Sequence, residues 1–172
     1  MSQPKPAMCN FIPDVDVLKK AAMAHGFSGV DWTFKPEDLP TNGLDESRLL
    51  GKISRLHPLE VHRAFKGIDF GDADEAGASA AMETHRKVCR MVSRLEDRFM
   101  TVHLGLGSRS TGELSWERGI EAMTELVEYA DDFGICLCLE NPASGWSSPP
   151  ELFEKLIRKS RAGVTLDITM PA

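Results

Sequence analysis

The chain has 172 residues, 42% hydrophobic and 27% charged, with a formal net charge of −6. That length suffices for one domain with its own core, and the acidic balance argues against recognition of nucleic acid through a basic footprint. No stretch reaches the roughly 18 apolar residues of a membrane span, and the first residues, MSQPKPAMCNF, lack the apolar centre of a signal peptide.

Residues 8–12 are a short apolar run, read as a first strand. Beyond Pro13, residues 14–26 set Val17, Leu18, Ala21, Ala22 and His25 at helical spacing, with Gly26 as the stop. SGVDWTF (28–34) predicts a second strand. A loop rich in Pro, Asp and Asn-Gly follows, then a short helix over 46–55. PLEVHRAF (58–65) reads as a third strand. Behind a Gly/Asp-rich loop, residues 78–95 form a long amphipathic helix with Ala81, Met82, His85, Val88, Cys89 and Val92 on one stripe. FMTVHLGLG (99–107) is the fourth strand, and a helix over 116–133 ends at Gly134. ICLCLEN (135–141) is the fifth strand. Ser147, Ser148 and two prolines precede a helix over 151–160, and AGVTLDI (162–168) is the sixth strand, followed by TMPA.

Strands alternating with helices are the signature of βαβ units and a parallel sheet. An eight-unit barrel takes about 250 residues. At that unit size this chain holds about six. The expectation is an α/β fold: an incomplete TIM-type (β/α) barrel forming a single domain over 1–172, without the last two β/α units. Its first and sixth strands would carry unpaired backbone groups, so the reading includes a homodimer through the open sheet edges, or further chain beyond the segment. Cys136 and Cys138, one residue apart in an apolar run, suit buried thiols better than a disulfide framework, which points to a reducing, cytoplasmic setting.

Functional groups of parallel α/β folds gather at the C-terminal ends of strands. Side-chain alternation sorts the polar strand residues by face. Val61, Val102, Leu104, Leu137, Leu139, Val164 and Leu166 would face helices. Glu60, His62, Thr101, His103, Cys136, Cys138, Glu140, Thr165 and Asp167 would face the barrel interior. His62, His103, Glu140, Asp167, Asp31 and Glu60 then converge at one mouth. Two imidazoles and several carboxylates together suit a divalent cation such as manganese, zinc or magnesium, because crowded carboxylates repel unless a cation or proton intervenes.

The strings VDW, EVHRAF, TVHLG, CLENPASGW and GVTLDI resemble the xylose-isomerase-like barrel superfamily, which includes sugar-phosphate isomerases/epimerases and metal-dependent apurinic-site endonucleases. The resemblance runs over residues 26–168. It implies Glu140 and Asp167 as metal ligands with His103 beside them, and Glu140 as the catalytic acid/base. It implies Asp31, His62 and His103 as substrate-binding groups. Two departures stand out: Met170 occupies the position where members often carry a His, and the seventh and eighth strands, with a further His and Glu, lie outside the sequence.

Trp146 could stack on a sugar or cover the barrel mouth. Residues 105–108 and Arg109 could hold a phosphate but read more simply as a βα turn. Trp32, His85 and His25 read as packing or surface residues, and Cys136 and Cys138 as filling low in the barrel. The functional expectation is a metal-dependent isomerase or epimerase acting on a small sugar or sugar phosphate. The alternatives are an endonuclease-IV-like metal-dependent phosphodiesterase, which the acidic charge and Met170 oppose, and a non-catalytic remnant or fragment of a longer barrel protein.

Overall fold

The computed structural model describes residues 6–65, 69–72, 74–95, 98–105, 114–145 and 147–167. Strands and helices alternate as β1 (Ala7–Cys9), α1 (Val15–Ala24), β2 (Gly29–Phe34), α2 (Gly43–Ser54), β3 (Glu60–Phe65), α3 (Glu75–Val92), β4 (Phe99–Val102), α4 (Trp116–Asp131), β5 (Cys136–Glu140), α5 (Pro150–Ser160) and β6 (Gly163–Thr165). The six strands make one sheet in sequence order, every neighbouring pair parallel. It is an open arc of a TIM-type barrel, as the alternation implies.

One sheet face carries the core. Val30, Trp32 and Phe34 of β2, Phe65 of β3, Met100 and Val102 of β4, and Leu137 and Leu139 of β5 are buried, together with Leu18, Ile53, Val88, Met123, Leu126 and Leu156 of the helices. This is the face the alternation assigns to the helices. The other face lines the barrel interior. Strands two apart in a flat sheet lie about 9–10 Å from each other. Yet Thr101 Oγ1 of β4 and Thr165 Oγ1 of β6 are 2.8 Å apart across β5. The sheet therefore curls strongly enough for inward side chains on non-adjacent strands to meet.

Element ends differ from the sequence reading, for local reasons. Helix α2 starts at Gly43 rather than 46, because Asn42 Oδ1 accepts from the Leu44 and Asp45 amides at 3.1 and 3.0 Å. Helix α3 starts at Glu75 rather than 78, because the Asp74 carboxylate accepts from the Gly77 amide at 2.8 Å. Strand β4 stops at Val102 and β6 at Thr165, where the parallel ladder ends. His103 and Asp167 therefore lie just past their strands rather than in them. The four cysteines are free thiols, but Cys136 is exposed, not buried, at the start of β5.

Candidate active site

Glu140 is the last residue of β5, and His103 follows the last residue of β4. Their side chains are 23% and 9% exposed, and His103 Nε2 lies 3.2 Å from Glu140 Oε2. The other ring nitrogen, Nδ1, lies 3.3 Å from the Phe65 carbonyl at the end of β3. A carbonyl only accepts, so Nδ1 carries a hydrogen in that contact. The Nε2···Oε2 contact then needs one shared proton, resident either on the imidazole or on the carboxyl. The pair is thus built to hold and move a single proton.

Glu140 also lines a cavity of about 500 Å³, together with Asp31, His62, Thr101, Cys138 and Thr165 among others. Asp31 and His62 are partners in the β2–β3 register, three residues short of the ends of their strands. Alternation assigns both to the barrel interior, and they line the same cavity as Glu140. Burial pushes the Asp31 carboxyl above its usual range and the Glu140 charge pushes it further, against the opposing pull of His62 and His103. Glu60 opens β3 and lines a separate hollow at the opposite end of the barrel with His57 and Pro58. It does not join the mouth.

Asp167 is exposed, two residues past β6. Its backbone is held by a residue the sequence reading did not single out. Asn141 Oδ1 accepts from the Asp167 amide at 2.7 Å, and Asn141 Nδ2 donates to the Asp167 carbonyl at 3.0 Å. One side-chain amide thereby continues the β5–β6 ladder beyond its last backbone rung. The clue was the polar Asn after Glu140 in CLEN, a side chain that both donates and accepts. Asp69 is a second such residue. Its carboxylate accepts from the Gly71 amide at 2.9 Å and the Gly105 amide at 2.6 Å, tying the loop after β3 to the turn after β4. Ser147 Oγ donates to the Leu104 carbonyl at 2.8 Å and anchors the loop after β5 over β4. Trp146, Arg109 and Met170 lie outside the described residues.

The donor set implied for a metal is Glu140, Asp167 and His103. Among the described residues, no three His, Cys, Asp or Glu side chains converge closely enough to hold a metal ion. Glu140 is instead engaged with His103. These residues as placed do not fit a metal centre. Among the described residues, no helix is long and apolar enough to cross a membrane.

The sequence profile of the xylose isomerase-like TIM barrel family matches residues 19–169. No curated protein matches the chain. Among solved structures, an L-ribulose 3-epimerase superposes with a TM-score of 0.68 at 19% identity, over 95% of this chain and 60% of its own. A D-tagatose 3-epimerase-like protein gives 0.70 at 19% identity, over 96% and 65%. The D-psicose 3-epimerase from Clostridium cellulolyticum H10, solved with D-tagatose, gives 0.69 at 12% identity, over 95% and 62%. The chain thus spans about three fifths of the length of these structures.

Proposed function

The chain belongs to the xylose isomerase-like TIM barrel family, and from that premise we propose that it takes part in isomerising or epimerising a small sugar or sugar phosphate, with Glu140 as the proton-transferring group. The observation that carries this reading is the His103–Glu140 pair, whose carboxylate lines the interior cavity. With the shared proton on His103, Glu140 is a carboxylate able to take a proton from the carbon beside a sugar carbonyl. With the proton passed to Glu140, the carboxyl can return it to carbon or oxygen. The Phe65 carbonyl fixes the imidazole tautomer, so His103 positions and recharges Glu140. Asp31 and His62 line the same cavity, and sugar-hydroxyl binding is the role proposed for them. Trp146, which follows β5 in the sequence, is proposed to stack on the sugar.

The family resemblance also implies a divalent cation on Glu140, Asp167 and His103. Because the residues as placed do not gather as a ligand set, no step here is drawn through a metal. The neighbours named above act, by their names, on L-ribulose, D-psicose and D-tagatose, which makes these sugars the first substrates to try. A reducing cytoplasmic setting fits the four free thiols and belongs to the same proposal.

The test is exchange in deuterium oxide. The full chain is incubated with each of the three sugars, with and without manganese, zinc or magnesium, and deuterium at the carbon beside the carbonyl is followed by NMR. Exchange should appear and fall by about 10²–10⁴-fold in Glu140→Gln, the usual scale for losing a general acid–base group. A smaller fall, with an altered pH profile, is expected in His103→Gln. No exchange under any of these conditions would leave the chain non-catalytic by itself.

A further inference from the structure

Cys136 and Cys138 are not used by the reading above. They occupy alternate positions of β5 and so share its inward face. Both border the same point on the neighbouring strand. A Cβ added to Gly163 of β6 would sit 2.7 Å from the Cys138 sulfur and 3.3 Å from the Cys136 sulfur. Glycine at that position leaves room where the two sulfurs approach each other. The Cys138 thiol is also within hydrogen-bond reach of Cys136 and Thr165.

We propose that Cys136 and Cys138 form a two-coordinate site for a soft, thiophilic monovalent cation, copper(I) being the type case. Geometry separates this from a disulfide. Same-face neighbours on a strand stand about 6.6 Å apart, whereas a disulfide brings its Cβ atoms to roughly 3.5–4.5 Å. Closing one here would bend the strand. Zinc–thiolate bonds of about 2.3 Å set the scale for a soft metal: two bonds of that order in line span about 4.6 Å between sulfurs, a separation that side-chain rotation alone can supply. Ligand number decides between metals. Zinc in a structural site wants four ligands, and among the described residues no third His, Cys, Asp or Glu joins a cluster. Soft thiolates with no further donor select copper(I).

Access and charge are consistent with this. Cys136 is exposed, and Cys138 faces the interior cavity. A hollow of about 110 Å³ beside Cys136 is lined by Arg161 after α5, and by Glu128 and Asp131 of α4. Uptake replaces two S–H bonds by two S–metal bonds and releases two protons, so a monovalent ion leaves a bis-thiolate of charge −1. Arg161 is the cation lining that hollow. Burial pushes the Cys138 thiol up to about 11, so the ion, rather than the solvent, must strip its proton.

The test uses the full chain, reduced and under anaerobic conditions, titrated with copper(I) against a chromophoric copper(I) chelator. One equivalent should be retained, with release of two protons per ion in weak buffer. Cys136→Ser should weaken retention at least 100-fold, and Cys138→Ser likewise. Cys9→Ser should change nothing. Circular dichroism reports whether each variant folds. Cys136 is exposed, so its variant decides the question even if Cys138→Ser fails to fold. Complete stripping of copper by the chelator, unaltered retention in Cys136→Ser, or retention that depends on Cys9 would each overturn the assignment.

Discussion

His85 shows how burial sets the chemistry of a single residue. It lies 1% exposed between the edges of Phe65 and Phe70, with Nδ1 donating to the Ala81 carbonyl at 2.8 Å. Burial pushes its pKa down to about 4, from 6.5. Between those values the unfolded chain binds a proton that the folded chain refuses, so stability rises with pH across that window and is lost as pH falls through it. Urea titrations from pH 7 to 4 should show this loss, amounting to a few kcal/mol, and His85→Phe should flatten that part of the profile even if it is less stable at pH 7. An equal slope in both proteins would contradict the assignment. Asn141 makes a different residue-scale prediction. Because its amide holds both backbone groups of Asp167, Asn141→Ala should speed hydrogen exchange at the Asp167 amide by about fivefold, the scale of one net hydrogen bond of roughly 1 kcal/mol. The amides of β5 should be unaffected. Unchanged exchange at Asp167 would show that the loop is held by other contacts.

At the scale of elements, what was legible and what was not divide along a physical line. The inward and outward faces of β2, β4 and β5 follow from strict alternation, because a strand has only two faces and one must be apolar. The pairing of Glu140 with His103 came with that alternation. The separation of Glu60 from the mouth did not, because it depends on where β3 begins relative to neighbouring strands, a long-range property. Helix starts were missed at Asn42 and Asp74, where a capping side chain starts the helix on a turn that contributes nothing to the buried stripe. The end of α5 falls at Ser160, where the sequence places it. No glycine marks it, and Arg161 takes the left-handed conformation at φ 61°. A non-glycine residue there costs roughly 1–2 kcal/mol. Arg161→Gly should therefore raise the unfolding free energy by about 0.5–1 kcal/mol in urea, after the entropy glycine adds to the unfolded chain. Arg161→Ala should give no such gain. A destabilised glycine variant would mean that the arginine side chain contributes more than its backbone costs.

At the scale of the whole molecule, the sheet has two edges where a closed barrel has none. Strand β1 pairs only with β2, and β6 only with β5, among the described residues. The outward residue of β6, Val164, is 45% exposed, and Leu166 beyond it is 70% exposed. Edges with apolar flanks are where a second chain adds on. The homodimer expected from the open edges can be weighed by magnitude. Half-burying four aliphatic side chains, Val164 and Leu166 of each copy, yields about 3–6 kcal/mol, and each new ladder hydrogen bond adds about 0.5–1.5 kcal/mol. Association costs about 4–15 kcal/mol before any of this appears as affinity. Two three-residue edge strands cannot exceed that cost by much, so pairing between copies should be weak, with Kd in the micromolar range or above. Sedimentation velocity over a hundredfold range of concentration should therefore show the mass of the chain rising toward twice its monomer value only at the upper end. Leu166→Lys combined with Val164→Lys should hold it at the monomer throughout, by setting like charges against each other at the edge. A concentration-independent monomer in the unaltered chain would show that its edges are not sites of self-association, and a tight dimer unmoved by the two lysines would place the interface on another face.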